Sequence, residues 1–205
     1  MKSKLTEIQT YSGEYFNYAK FTKNDLYIED ISNALDNICR YNGHCIKFYS
    51  VAQHLCLVHD IAKVHLQKTI KPDMDEKKLL FHCLIHDVGE AYLTDIPRPL
   101  KAYFSHSVDF ENFMTNYNLL EDKIVNEFSK IFKMKPLTDD EHKIVKYYDN
   151  WALLIEQKNV MRKTLKEWSI DNDYDSVPIK TRPYFRTWFR KDWAGEFRSR
   201  LENFL

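Results

Sequence analysis

Leu79-Leu80-Phe81-His82-Cys83-Leu84-Ile85-His86-Asp87-Val88-Gly89-Glu90 is so apolar a run that, as a helix, it belongs inside a core. An ionised Asp87 buried there beside His86 is costly unless a partner compensates both groups. A metal ion does so, because it takes a neutral imidazole nitrogen and a carboxylate oxygen together. The run therefore predicts a metal site at the end of a core helix around residues 76–91. Such sites commonly serve hydrolysis.

Upstream, Ser50 is a good N-cap for a helix over 51–67. In that helix His54 shares a face with Val51, Val58 and Ile61, so it points where the apolar residues point. A helix over 29–40 carries Ile31, Ala34, Leu35 and Ile38 on one face and ends at Arg40. Tyr41-Asn42-Gly43-His44 breaks the chain, and Cys45 to Tyr49 reads as extended. Residues 12–21 read as a turn flanked by short extended pieces.

Downstream, two prolines separated by one residue make 94–101 a loop. Periodicity predicts helices over about 108–133 and 139–165, then an irregular segment over 170–183. A last amphipathic helix carries Phe189, Trp193, Phe197 and Leu201 on one stripe. The expectation is an all-α helical bundle with at most a few short β segments. It forms a single domain over 1–205, with a core over about 25–165 and a helical extension over about 182–205.

The bulk properties narrow the class. With 30 basic and 30 acidic residues the net charge is +0, so any basic site must be local. Only 4 glycines and 6 prolines fit a helical chain with few tight turns. Cys39, Cys45, Cys56 and Cys83 show no CxxC spacing and read as free thiols of a reducing compartment. The start, Met1-Lys2-Ser3-Lys4-Leu5-Thr6-Glu7, has no apolar region behind its charge, and no run approaches the ~20 apolar residues of a membrane span. A cytoplasmic location with no membrane partner is expected.

A second acid between apolar neighbours is Asp149, on a helix face shared with Val145 and Leu153. With His54, His86 and Asp87 it could close a site of nitrogen and oxygen ligands suited to a borderline divalent ion. Glu90 lies one helical turn beyond the pair, placed for general acid/base work rather than for ligation. Asp95, in the proline loop, could orient a water. Arg40, Lys101 and Lys146 are candidate cations for a phosphate chain. Each has a plain alternative: a hydrogen-bonded core histidine, a capping or ion-paired aspartate, a solvated glutamate at a fraying helix end, surface lysines, or an arginine answering a helix dipole.

The order His54, His86-Asp87, Asp149 resembles the H…HD…D signature of the HD superfamily of metal phosphohydrolases. The similarity is nearest to bacterial 5′-deoxynucleotidases and phage HD-domain nucleotide (dATP) triphosphohydrolases, and it covers roughly residues 11–160. It rests on Ile28-Glu29-Asp30-Ile31, Cys39-Arg40-Tyr41-Asn42-Gly43-His44, Tyr49-Ser50-Val51-Ala52-Gln53-His54, His86-Asp87-Val88-Gly89-Glu90-Ala91-Tyr92 and Asp95-Ile96-Pro97-Arg98-Pro99-Leu100-Lys101, in that order. The resemblance implies that His54, His86, Asp87 and Asp149 hold one divalent metal: Co, Mn or Zn first, with Mg, Ni or Fe as further options. It implies Glu90 as general acid/base and Asp95 as assisting the water. Arg40, Lys101 and Lys146 would meet phosphates, and Tyr41 the sugar or base. Where the nucleotidases often carry Trp after the arginine, this chain has Tyr41. The (p)ppGpp hydrolases carry HDxxED, whereas here Ala91 follows Glu90.

The implied reaction is attack of water on a phosphorus of a (deoxy)nucleotide, either a 5′-monophosphate or a triphosphate, in an enzyme expected to be a homo-oligomer. Two alternatives come from other classes. Arg182, Arg186, Arg190, Lys191, Arg198 and Arg200 alternate with Tyr184, Phe185, Trp188, Phe189 and Trp193, a pattern that could bind or cleave single-stranded nucleic acid. The helical spacing of the aromatics and the acids Asp192, Glu196 and Glu202 favour a packing helix instead. The other alternative is a nucleotide sensor without turnover, which an intact ligand set with Glu90 argues against.

Overall fold

A computed structural model describes residues 5–69, 74–106, 108–166, 168, 170 and 192–205. The chain is mostly helical with one two-stranded antiparallel sheet, as the all-α reading expects. β1 (Glu7–Gln9) pairs with β2 (Tyr15–Asn17) through a turn in which Gly13 takes φ 92°, a region glycine enters without strain. The hairpin is fastened rather than free. The Ser12 backbone N–H and hydroxyl both donate to the Asp30 carboxylate, and buried Phe16 stacks on Tyr92 with ring centres 3.9 Å apart.

α1 (Ile28–Asn37) buries Ile31 and Leu35, and α2 (Val51–Thr69) is the central helix. Nearly every side chain in the first three turns of α2 is buried, polar ones included, as expected of a helix covered on all sides. Its start is fixed reciprocally: the Ser50 hydroxyl accepts from the Gln53 N–H, and the Gln53 side chain accepts from the Ser50 N–H. Between α1 and α2 lies the 3-10 turn Arg40–Gly43. Arg40 belongs to this turn, because α1 stops at Asn37 instead of running to residue 40. Tyr41 and Asn42 both take the left-handed region, at φ 57° and 52°. Residues 45–49 bend instead of forming a strand, and the two sides of the loop meet in a single bridge, Cys39 to Ser50.

α3 (Glu76–Ile85) starts on Asp75, whose side chain accepts from the Lys78 N–H. The helix expected to continue to residue 91 breaks after Ile85. Val88, Glu90 and Ala91 N–H groups reach back only three residues, a tightening that closes α3 and opens the short α4 (Glu90–Leu93). The turn is packed tightly at Gly89, where a Cβ would stand 3.1 Å from Glu121 Cγ of the next long helix.

The proline segment is a second correction. α5 (Arg98–Ser105) begins inside it, because Pro99 sits in the first turn, where no backbone N–H is required. α6 (Val108–Ile131) and α7 (Asp139–Asn159) follow, and α7 ends six residues before the expected 165. A reciprocal Thr138–Glu141 cap sets the start of α7. α8 (Trp193–Glu202) buries Trp193, Phe197 and Leu201 in the same core as α2 and α3. Phe189 and the expected basic-aromatic positions from 182 to 191 lie outside the described residues. The described part of that tail is a packing helix: Arg198 donates to Ser32, and Arg200 pairs with Asp60 and Glu196.

Candidate metal centre

Three elements deliver the site. The first turn of α2 brings His54 into the core, the tight turn after α3 presents His86 and Asp87, and the middle of α7 brings Asp149. His54, His86 and Asp87 each offer one ligand atom, all within 4.8 Å of one another. His54 Nε2 is 3.3 Å from His86 Nε2, 3.6 Å from Asp87 Oδ2 and 3.3 Å from Asp149 Oδ1. His86 Nε2 is 3.5 Å from Asp87 Oδ2 and 4.0 Å from Asp149 Oδ1. His54, His86 and Asp87 therefore form one cluster that could hold an ion, and Asp149 adjoins it through His54.

The tautomers make this convergence informative. His54 Nδ1 donates to Glu156 Oε1 at 2.6 Å, and His86 Nδ1 donates to the Cys83 carbonyl at 3.0 Å. With both Nδ1 atoms donating elsewhere, the Nε2 atoms face each other and the two carboxylates, the side on which each ring in its neutral form could take a metal. Ligand atoms about 2.0–2.2 Å from a shared ion stand about 3.0 Å apart at right angles and about 3.4 Å apart at the tetrahedral angle. The separations among His54, His86 and Asp87, and that of His54 from Asp149, fall within about 0.2 Å of that range, while Asp149 Oδ1 stands further from His86, at 4.0 Å. The donor set, two nitrogens and two carboxylate oxygens, suits a borderline divalent ion. The site's demand for positive charge also shows in His54. Burial and Arg40 pull its pKa down, yet Glu156 and Asp149 outweigh them and push it up to about 9. His86, dominated by burial, is pulled below its ordinary value.

The candidate catalytic residues sit close by. Glu90 opens α4, is 3% exposed, and keeps Oε2 buried without a hydrogen-bond partner. Burial, then Asp87 and Asp95, raise its carboxyl well above the ordinary range, so it holds a proton where most glutamates do not. Asp95 lies within electrostatic reach of both Arg40 and Glu90.

The expected cations divide. Lys146 Nζ is 2.5 Å from Asp149 Oδ2, on the oxygen turned away from the histidines. Lys101 Nζ is 3.9 Å from Glu121 Oε1 and lies over the Tyr117 ring. Arg40 is buried, with Nη1 3.5 Å from Asp87 Oδ2 and Nε 3.6 Å from Glu156 Oε2. Tyr41 is half-buried; its ring lies near Trp168 and its hydroxyl donates to Glu156 Oε2.

Sequence reasoning missed three residues here. Glu156 is fully buried and accepts from Tyr41, Tyr49 and His54. A usable signal existed, since Glu156 lies two helical turns after Asp149 in an equally apolar stretch. Arg98 Nη2 is 3.2 Å from Asp149 Oδ2 and also donates to Asn150; reading its segment as a loop hid the face it presents. Glu121 comes from a long amphipathic helix, where nothing local marks it.

No family model matches the chain. Over 156 residues it is 33% identical to a protein of Escherichia coli (strain K12) named uncharacterized protein YfdR, a match covering 76% of this chain and 73% of that one. Among the described residues, no helix is long and apolar enough to cross a membrane.

Proposed function

The chain belongs to the same family as Escherichia coli YfdR, and we propose that its centre is that of an HD-type metal-dependent phosphohydrolase acting on (deoxy)nucleotides. The observation that carries this reading is the clustering of the His54 and His86 Nε2 atoms with Asp87 Oδ2, with Asp149 Oδ1 3.3 Å from His54 and acid and cationic side chains around them. His54, His86, Asp87 and Asp149 would hold the ion. A divalent ion held there withdraws charge from a phosphoryl oxygen and lowers the pKa of a water.

The chain's own residues do the rest. Glu90, kept protonated by burial and by Asp87, is suited to give its proton to the leaving oxygen as the ester bond breaks. Asp95 orients the attacking water. Lys146 and Arg98, both about half exposed beside Asp149, neutralise phosphate oxygens, with Lys101 further along α5. Arg40 contributes its charge from beneath Asp87. The substrate is a nucleoside 5′-monophosphate or triphosphate, and the reading places the enzyme with the nucleotide pool in the cytoplasm.

The test is phosphate release from a panel of dNMPs and dNTPs with Co, Mn, Zn or Mg. A His86→Ala/Asp87→Ala variant is the control, and ion chromatography separates phosphate from triphosphate. Metal-dependent turnover lost in the variant is the expected result. A protein that binds metal yet turns over no nucleotide refutes the reading.

A further inference from the structure

The turn Arg40–Gly43 is locally unfavourable. Tyr41 and Asn42 are consecutive non-glycine residues in the left-handed region, and Gly43 continues at φ 78°. Such a conformation persists only where its surroundings over-determine it. Besides the Arg40 N–H bond to the Tyr49 carbonyl and the Arg40–Asp87 pair, one side chain restrains this turn from inside the protein. Glu156 Oε2 accepts from the Tyr41 hydroxyl and lies 3.6 Å from Arg40 Nε, so both leading side chains of the turn end on it. The other oxygen, Oε1, accepts from His54 Nδ1 at 2.6 Å and from the Tyr49 hydroxyl at 2.9 Å. One buried carboxylate thus faces a metal-site histidine with one oxygen and the strained turn with the other.

We propose that Glu156 is a positioning residue that ties the metal centre to the Arg40–Tyr41 turn, so that occupation of the centre orders the turn and an ordered turn strengthens the centre. This rests on the metal reading of the site and not on the nucleotide substrate. Fixing His54 against an ion fixes Oε1, and a carboxylate is rigid, so Oε2 is fixed with it. The Tyr41 hydroxyl and the Arg40 guanidinium then meet a stationary partner. The effect is reciprocal by linkage. A carboxylate behind a metal-bound histidine typically contributes 10- to 100-fold to metal affinity.

The experiment uses Co²⁺ alone and the full-length protein. Affinity is measured by competition with a chromophoric chelator. Hydrogen exchange of the His44 and Ile46 amides, which bond to the Tyr41 and Val160 carbonyls, is measured with and without Co²⁺. In the wild type, Co²⁺ slows exchange of these amides about 5-fold or more. Tyr41→Phe removes the hydroxyl link on the turn side: Co²⁺ affinity stays within about 3-fold and the metal-dependent slowing falls about 2-fold or more, to what Arg40 still carries through Glu156 and Asp87. Glu156→Gln weakens Co²⁺ binding about 10- to 100-fold and also lowers the slowing. Tyr41→Phe that keeps the slowing in full, or Glu156→Gln that binds Co²⁺ as tightly as the wild type, overturns the proposal; the first holds even if Glu156→Gln does not fold. A wild type that binds no Co²⁺ overturns this proposal and the metal reading together. Absence of nucleotide turnover in a wild type that binds Co²⁺ overturns only the substrate assignment, and the two readouts above still decide this one.

Discussion

Glutamine in place of Glu121 should make the protein more stable at pH 8 and change little at pH 5. Glu121 sits on α6 against Gly89, with Oε1 buried and lacking a hydrogen-bond partner, and its nearest cation, Lys101, stands 3.9 Å away. Burial raises its carboxyl from the ordinary 4.5 to about 7, Asp87 and Asp122 add to this, and Lys101 only partly opposes them. The folded protein therefore binds this proton more tightly than the unfolded chain does. The stability it contributes is fully present below pH 4.5 and is lost as pH rises through about 7. A rise of that size corresponds to roughly 3 kcal/mol. The side chain is 19% exposed, and solvent screening trims the value to about 1–3 kcal/mol. Glutamine cannot ionise and escapes the penalty. Urea unfolding of wild type and Glu121→Gln at pH 5 and pH 8 measures the difference of differences, which should be about 1–3 kcal/mol in favour of the variant at pH 8. An equal effect at both pH values, or a variant less stable at pH 8, would refute the argument that burial dominates this carboxyl.

Glu90→Gln should lower nucleotide turnover about 10²- to 10⁴-fold while Co²⁺ affinity stays within a few-fold, measured by phosphate release and chelator competition. It should also remove the alkaline limb of the pH–rate profile, since the raised Glu90 carboxyl loses its proton there. Co²⁺ at a hundredfold excess over its dissociation constant should stabilise the wild type by about 2.7 kcal/mol, a rise in Tm of roughly 5–11 °C, and His86→Ala should show none of it. Phe197→Ala, deleting a fully buried ring of α8, should cost about 3–5 kcal/mol in urea unfolding; a loss below about 1 kcal/mol would mean that α8 is not part of the core.

Much of this arrangement was legible because burial and charge conflict locally. His54, His86, Asp87 and Asp149 each stand among apolar neighbours at helical spacing, and the structure buries or half-buries all four. The break after Ile85 was not legible, because the apolar pattern runs through it without interruption, and the Glu121 side chain packed on Gly89 comes from thirty-two positions further on. The start of α5 was misread because a proline was treated as a barrier wherever it falls, although in a first turn it removes no hydrogen bond. Arg98 was lost with that misreading. Glu156 obeys the same rule that revealed Asp149, but its partners come from the 40–54 segment, which only the fold brings alongside α7.

The polar partners around the centre show why a cation is the natural occupant. Glu156 spends its oxygens on Tyr41, Tyr49, His54 and Arg40. Asp149 spends Oδ2 on Lys146 and Arg98, and Asp87 Oδ2 has only Arg40 at 3.5 Å. What then faces inward is Asp149 Oδ1, Asp87 Oδ2 and the Nε2 atoms of two imidazoles whose Nδ1 protons are committed elsewhere. Acids this close draw in positive charge: against burial and Arg40, Glu156 and Asp149 push the His54 ring up to about 9, so that in the absence of an ion its proton serves Asp149 Oδ1. A folding core has no reason to assemble them, and hydrophobic residues of like volume would serve it better. Their approach from α2, the turn after α3, and α7 suits a ligand that brings positive charge, and His54, His86 and Asp87 could hold a metal ion there.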